Sequence, residues 1–388
     1  MSVKPDQVKV IDADTHLTER HDLWTSRAPA GMKDRLPHVA EVDGQATWVI
    51  GDAVLGRAGA GGVVDKHSVK GRSFEALYEW DIDQVHEAAY DPVARVELMD
   101  EMGIWAHVIF PNVVGLGGQN ISGAVDDLAL RLLCVEIYND ANAEMQANSN
   151  DRLLPMAILP AWDPDACVRE ARRAKGLGLR GVNITSDPQD QGAPDLAHRA
   201  WDPLWAACSE LELPVHFHIG ASLTTMTYFD TYPWPSHDDD TKLAIGGTLL
   251  FIGNARVVVN IICSGMLDRF PQLKIVSVES GAGWIPFILE ALDYEMAENA
   301  PKLKAELSLS PSEFFKRQMY ATTWFERTKL ASLVASVGED NIMFETDFPH
   351  PTCLYPDPLR HARDNMRELS TTTRDKILSG NATKLYHL

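Results

Sequence analysis

The chain has 388 residues, 45% hydrophobic and 23% charged, an ordinary globular composition with ample length for a large core. Its formal net charge is -20, which argues against nucleic acid and anionic membranes as partners but leaves room for an anionic small molecule in a local basic pocket. The five cysteines (Cys134, Cys167, Cys208, Cys263 and Cys353) are odd in number and lack CxxC spacing, which argues against a disulfide framework and leads us to expect a cytoplasmic location. Residues 1–10 hold no apolar h-region and no run approaches about 18 apolar residues, so neither a signal peptide nor a transmembrane span is expected.

In chain order, the first element is a buried strand at residues 11–16, Ile-Asp-Ala-Asp-Thr-His. Side chains alternate along a strand, so Asp12, Asp14 and His16 share one face. Two carboxylates and an imidazole there are costly without compensation, and a divalent metal compensates them with its ordinary ligand types. Residues 17–95 are irregular apart from a hairpin around Gly51-Asp52, and we expect a lid or substrate-shaping insertion within a single domain spanning residues 1–388. From residue 93 helices alternate with strands expected at 104–110, 153–159, 179–184, 214–219, 273–279, 318–323 and 341–344, with a long loop at about 220–242. Eight parallel strands with helices between them predict an α/β fold, a (β/α)8 barrel with a long insertion after strand 1 and a long loop after strand 5.

In such a barrel, chemistry sits where the strands end. The fifth strand ends with His216 and His218 on one face; one or both are candidate metal ligands, His218 ahead of His216. The sixth ends at Glu279 before a Gly-rich turn, where the carboxylate is either a helix-entry group or a metal ligand. The eighth ends at Asp347, with His350 held near the mouth between Pro349 and Pro351. His107 reads as a core histidine, Asn112 and Asn183 as strand-end amides that could orient substrate, and the aromatic run at 228–234 as either pocket lining or packing.

The chain resembles the amidohydrolase-related TIM barrels, in the branch of the aminocarboxymuconate-semialdehyde decarboxylase-like enzymes. The resemblance spans nearly the whole chain and rests on Asp14-x-His16, His218, Thr346-Asp347-Phe348-Pro349 and the terminal Gly380–Tyr386 stretch. It implies a metal held by Asp14, His16, His218 and Asp347. In the decarboxylases the resemblance implies a histidine at the end of strand six, where this chain has Glu279. With Glu279 the set of three carboxylates and three imidazoles (His16, His216 and His218) suits iron at least as well as zinc. The chain is therefore also similar to nonheme diiron monooxygenase barrels, of which the platensimycin/platencin hydroxylase of antibiotic biosynthesis is one.

The leading expectation is thus an oxidoreductase: a two-iron monooxygenase hydroxylating a C–H bond of a bulky apolar, CoA-linked or terpenoid-like substrate, using O2 and an electron-donating reductase. In it Asp14, His16, His216, His218, Glu279 and Asp347 bind metal, and Glu279, Asp347 and His350 are catalytic. The alternative is a Zn- or Mn-dependent hydrolase or decarboxylase acting on a carboxylic acid. A homodimer is the default assembly.

Overall fold

The computed structural model describes residues 8–59, 61–230, 234–327 and 330–388, with the side chains of 228–230 outside that description. Its strands in chain order are β1 (Ile11–His16), β2 (His38–Val42), β3 (Gln45–Ile50), β4 (Ala53–Arg57), β5 (Ala106–Phe110), β6 (Leu153–Pro155), β7 (Ala157–Ile158), β8 (Val182–Asn183), β9 (Val215–His218), β10 (Ile275–Val278), β11 (Met319–Thr323) and β12 (Ile342–Phe344). All but β2–β4 pair in parallel, in the orders β1-β5-β6 and β7 through β12. The N–H of Met156, between β6 and β7, donates to Ile109 O, so those two strands continue one another. The barrel closes where His16 N donates to Phe348 O and Asp347 N donates to Asp14 O. This is the expected (β/α)8 architecture.

The helices between strands start where the sequence supplies caps. Asp91 and Asp163 accept backbone N–H groups at the entries to Pro92–Met102 and Pro164–Gly176, each followed by a proline at the first helical position. Ser310 and Glu313 form a reciprocal capping box at Pro311–Gln318. The apolar faces of these helices pack on the outside of the barrel, with Trp201, Trp205, Phe314 and Phe315 fully buried.

Two expectations need correction. The insertion carries a three-stranded antiparallel sheet, β2-β3-β4, of which only the β3–β4 hairpin was foreseen. The region after β9, expected as a loop to about residue 242, contains helix Leu223–Asp230, and helix Asp239–Leu250 begins near its end; residues 231–233 of the aromatic run, with the side chains of 228–230, lie outside the description. The stretch Asp239–Cys263 is long and apolar enough, at a mean hydropathy of 1.6, to match a membrane span by composition. Its second half, Gly253–Cys263, buries Val257, Val258, Ile261 and Ile262 in the core against the barrel.

Two glycines make that docking feasible. A Cβ on Gly253 would stand 2.2 Å from Ile219 O, and one on Gly220 (φ +62) would stand 2.8 Å from the Gly253 backbone. The next residue, Asn254, donates through Nδ2 to Phe217 O, Val278 O and Ser280 Oγ, and so ties the ends of β9 and β10 together.

Candidate metal centre

Polar side chains inside the barrel form two layers. In the deeper one most polar atoms find protein partners, His107 Nε2 being an exception. Asp12 accepts from the Thr346 N–H at 2.8 Å and the Thr346 hydroxyl at 2.5 Å. The fully buried Arg95 reaches Ala88 O at 2.6 Å and His16 O at 2.5 Å, and lies 3.4 Å from His107 Nδ1. His107 is thus a core residue packed beside that guanidinium. In the same layer His216 has Val182 O at 2.9 Å from Nδ1 and the Tyr386 hydroxyl at 2.9 Å from Nε2. Gly181 leaves room for the His216 ring, since a Cβ there would lie 2.7 Å from its Cε1. His216, expected among the ligands, therefore stands outside the centre with both nitrogens engaged.

The second layer lies at the mouth. The pairing of β1 with β5 slips by one residue between Asp12 and Thr15, a bulge that separates Asp12, in the deeper layer, from Asp14 at the mouth. His16 Nε2 and His218 Nε2 face each other at 3.1 Å. Asp14 Oδ1 is 3.3 Å from His218 Nε2 and 3.7 Å from His16 Nε2. Glu279 Oε2 is 3.3 Å from His218 Nε2, and Asp347 Oδ1 is 3.8 Å from His16 Nε2. His350 stacks on His16 with centroids 3.7 Å apart, and its Nδ1 is 3.3 Å from Asp347 Oδ1. Donor atoms of Asp14, His16, His218 and Glu279, and of His16, Glu279, Asp347 and His350, fall within 4.8 Å of one another in each group.

The strand ends are bent to achieve this. Ile219, Glu279 and Asp347, the residues that terminate β9 and β10 or follow β12, all have left-handed backbone with φ of 47°, 50° and 58°. Such conformations cost a non-glycine residue energy and persist where the surroundings impose them.

The electrostatics of the mouth layer are uncompensated. Burial, followed by repulsion from Glu279 and Asp347, pushes the Asp14 carboxyl well above its usual value. Burial, followed by Asp347 and Glu345, does the same to Glu279. Burial, followed by neighbouring imidazoles, pushes His16 and His218 well below the usual histidine range. Asp14 Oδ2 and Asp347 Oδ1 have no hydrogen-bond partner among the described residues. Buried carboxylates crowded together, with two imidazole Nε2 atoms aimed at the same point, are a poor arrangement for the protein alone and a good one around a cation. The residues fit a divalent metal.

Residues beyond the strand ends complete the site, and strand periodicity gave little signal for them. Asn112 Oδ1 lies 2.8 Å from His350 Nε2. The Thr352 hydroxyl donates to Asp347 Oδ2 at 2.5 Å. Glu19 Oε1 accepts the N–H groups of Asn112 at 2.9 Å and Val113 at 3.1 Å, which holds the turn after β5. Asn183, the other strand-end amide, donates to Leu116 O at 2.7 Å and supports the same turn. Glu279 and His350 border a cavity of about 710 Å³ that opens from the centre toward solvent.

Comparison with known proteins places this geometry. The amidohydrolase family profile matches residues 114–388. The chain is 28% identical over 308 residues to gamma-resorcylate decarboxylase of Polaromonas sp. strain JS666, covering 76% of this chain and 86% of that protein. Its fold is similar to that of an amidohydrolase from Mycobacterium avium subsp. paratuberculosis K-10, with a TM-score of 0.75 at 22% identity over 97% of this chain and 99% of the other. It is also similar to a dihydroxybenzoic acid decarboxylase from Polaromonas sp. JS666 with bound manganese and the inhibitor 2-nitroresorcinol, with a TM-score of 0.66 at 20% identity over 98% of each chain.

These matches overturn the leading expectation from sequence. The relatives carry decarboxylase names, so the oxidoreductase reading, with its monooxygenase chemistry and antibiotic-biosynthesis setting, is withdrawn. A pair of irons, O2, a reductase and a CoA-linked substrate have no support among them, whereas manganese is bound by one of these relatives and a small aromatic molecule occupies it. The misreading came from Glu279, since carboxylate and imidazole donors do not distinguish iron from manganese or zinc. With the profile spanning most of its length and the barrel complete, the chain belongs to the amidohydrolase family.

Proposed function

We propose that the chain is a divalent-metal-dependent decarboxylase that releases CO2 from an aromatic carboxylic acid, with one ion of the manganese or zinc type per chain. The observation that carries this reading is the buried cluster of carboxylate and imidazole donors at the floor of a cavity. The reaction class is supported by relatives named for the decarboxylation of gamma-resorcylate. In this reading Asp14, His16, His218 and Asp347 are the ligands. One ion is favoured over two because both four-residue groups draw on His16 and Glu279. His16 Nδ1 is committed to Pro111 O at 3.3 Å, so Nε2 alone has a lone pair to give, and it can give it to one ion. An ion held by these residues would supply Lewis-acid polarisation of the substrate carboxylate.

The remaining work falls to the chain's own residues. Glu279 and His350 are the ionisable groups that border both the cluster and the cavity, and they are assigned the proton transfer. One of them, through Glu279 Oε2 or His350 Nδ1, gives a proton to the ring carbon that bears the carboxylate. The bond from that carbon to the carboxylate then breaks, its electron pair restores the aromatic ring, and CO2 leaves. Asn112 Oδ1 accepts the His350 Nε2–H and so turns Nδ1 toward Asp347 and the reacting carbon. Thr352 holds Asp347 Oδ2 and leaves Oδ1 for the cluster.

The test is CO2 release from 2,6-dihydroxybenzoate and a panel of other hydroxylated aromatic acids under strict anaerobiosis. Release should be unaffected by removing O2, lost on chelation and restored by Mn2+ or Zn2+. Protein that holds one ion per chain and yields no CO2 from any acid of the panel would sink the proposal.

A further inference from the structure

The cavity above the cluster has walls that do not come from the barrel strands. One wall is built by the insertion after β1, through Trp48, Leu55 and Leu77. The facing wall is built by the segment after β9, through Leu243 and Phe251. Val113, beside Asn112, also lines the cavity. The two walls are tied together: Asp240 Oδ1 accepts the Phe74 N–H at 2.7 Å, and so caps helix Phe74–Tyr78 from the helix opposite. Ligand clefts run from about 300 to 1,000 Å³, and 710 Å³ is more than one aromatic ring with small substituents fills.

Two solvent-exposed arginines line the cavity, and they differ. Arg57 donates to Gln45 Oε1 at 3.1 Å and to Tyr78 O at 3.3 Å. Arg72 makes no hydrogen bond or ion pair among the described residues, although the chain carries 55 acidic residues against 35 basic ones. It stands where the apolar cavity meets a second, more polar surface groove and lines both. An exposed guanidinium without a carboxylate partner on the rim of an apolar slot is placed to receive an anion carried there by a ligand.

We propose that the substrate is an extended acid: its reacting carboxylate lies at the cluster, an apolar body of at least two rings lies between the two walls, and a second anionic group meets Arg72. This rests on the decarboxylase reading for the identity of the reacting end, and on the walls and Arg72 for everything beyond it. The experiment measures binding, so that the two can fail separately. Salicylate, 3-hydroxy-2-naphthoate and 3-hydroxy-7-sulfo-2-naphthoate are titrated into the manganese-loaded protein by calorimetry.

The second ring should tighten binding about tenfold, and the sulfonate about fivefold more. Arg72→Ala should erase the sulfonate step while keeping the ring step. Leu243→Trp, which narrows the slot, should bring the naphthoate-to-salicylate ratio toward one, and thermal unfolding of each variant checks that it is folded. Equal affinity for salicylate and naphthoate, no binding of either naphthoate at millimolar concentration, or a sulfonate step that survives Arg72→Ala would each overturn the proposal. CO2 release from single-ring acids without any size preference would leave the decarboxylase reading standing and remove this one. The full affinity series without CO2 release from any member would do the reverse.

Discussion

His216 and His218 stand two residues apart on β9, fully buried and on the same face of the strand, yet the protein treats them differently. His216 has a backbone carbonyl on one nitrogen and a tyrosine hydroxyl on the other. His218 faces two carboxylates and another imidazole through Nε2, and its Nδ1 has no partner among the described residues. The same contrast separates Asp12, whose oxygens are taken by Thr346, from Asp14, whose Oδ2 is left bare. A polar residue inside a barrel is evidence of a site where the fold withholds its partners, and evidence of architecture where the fold supplies them.

Breaking the mouth layer should have the largest effect. His218→Ala or Asp347→Ala should leave little metal by elemental analysis and lower CO2 release by roughly a thousandfold or more, since the centre that polarises the carboxylate is lost. His216→Phe should keep about one ion per chain and instead cost on the order of 1–3 kcal/mol of stability, because Val182 O and the Tyr386 hydroxyl lose their buried partner. Equal metal loss in both variants would dissolve the distinction between the layers.

Glu279 lies at the boundary between ligand and proton carrier. If it moves a proton, Glu279→Ala should retain the ion and lower turnover about a hundredfold, the ordinary size of a positioned acid or base. Loss of the ion from this variant would make Glu279 a ligand and leave His350 as the proton carrier. A smaller effect is expected one step further out. Asn112→Ala frees the His350 ring from its hydrogen bond and should lower turnover about tenfold with metal content unchanged.

Much of this organisation was legible in the sequence. The eight barrel strands show as apolar runs ended by polar residues, and Asp14, His16, His218, Glu279 and Asp347 were read as candidates because they stand at those ends. The structure gathers all five, with His350, into two overlapping groups that share His16 and Glu279. The fate of His216 was hidden because its partner, Tyr386, lies 170 residues away in sequence, and nothing at 214–219 signals it. Asn112 and Thr352 were hidden as partners for the same reason: amides and hydroxyls are common in turns, and only the closed barrel shows what they touch. The reaction was misread for a chemical reason, since donor types define a metal site without defining what it does.

Glu19 sharpens the comparison with the smallest effect. Like Asp14 it is a buried carboxyl with one bare oxygen, Oε2, but its Oε1 accepts two backbone N–H groups, so it stands between the two cases. Burial raises its pKa from 4.5 to about 7, against the lowering influence of those N–H groups. A carboxyl whose folded pKa is raised binds its proton more tightly in the folded state. Its contribution is therefore fully present below pH 4.5 and is lost as pH climbs through about 7. Within that window one proton separates the two states, so stability should fall by about 1 kcal/mol per pH unit on this account alone. Glu19→Gln keeps an acceptor for the Asn112 and Val113 N–H groups and removes the titration. Urea unfolding at pH 5, 6 and 7 should therefore show a shallower decline in the variant than in the parent. Parallel curves would mean that the Glu19 carboxyl is ionised in the folded protein, held so by its N–H partners against the cost of burial.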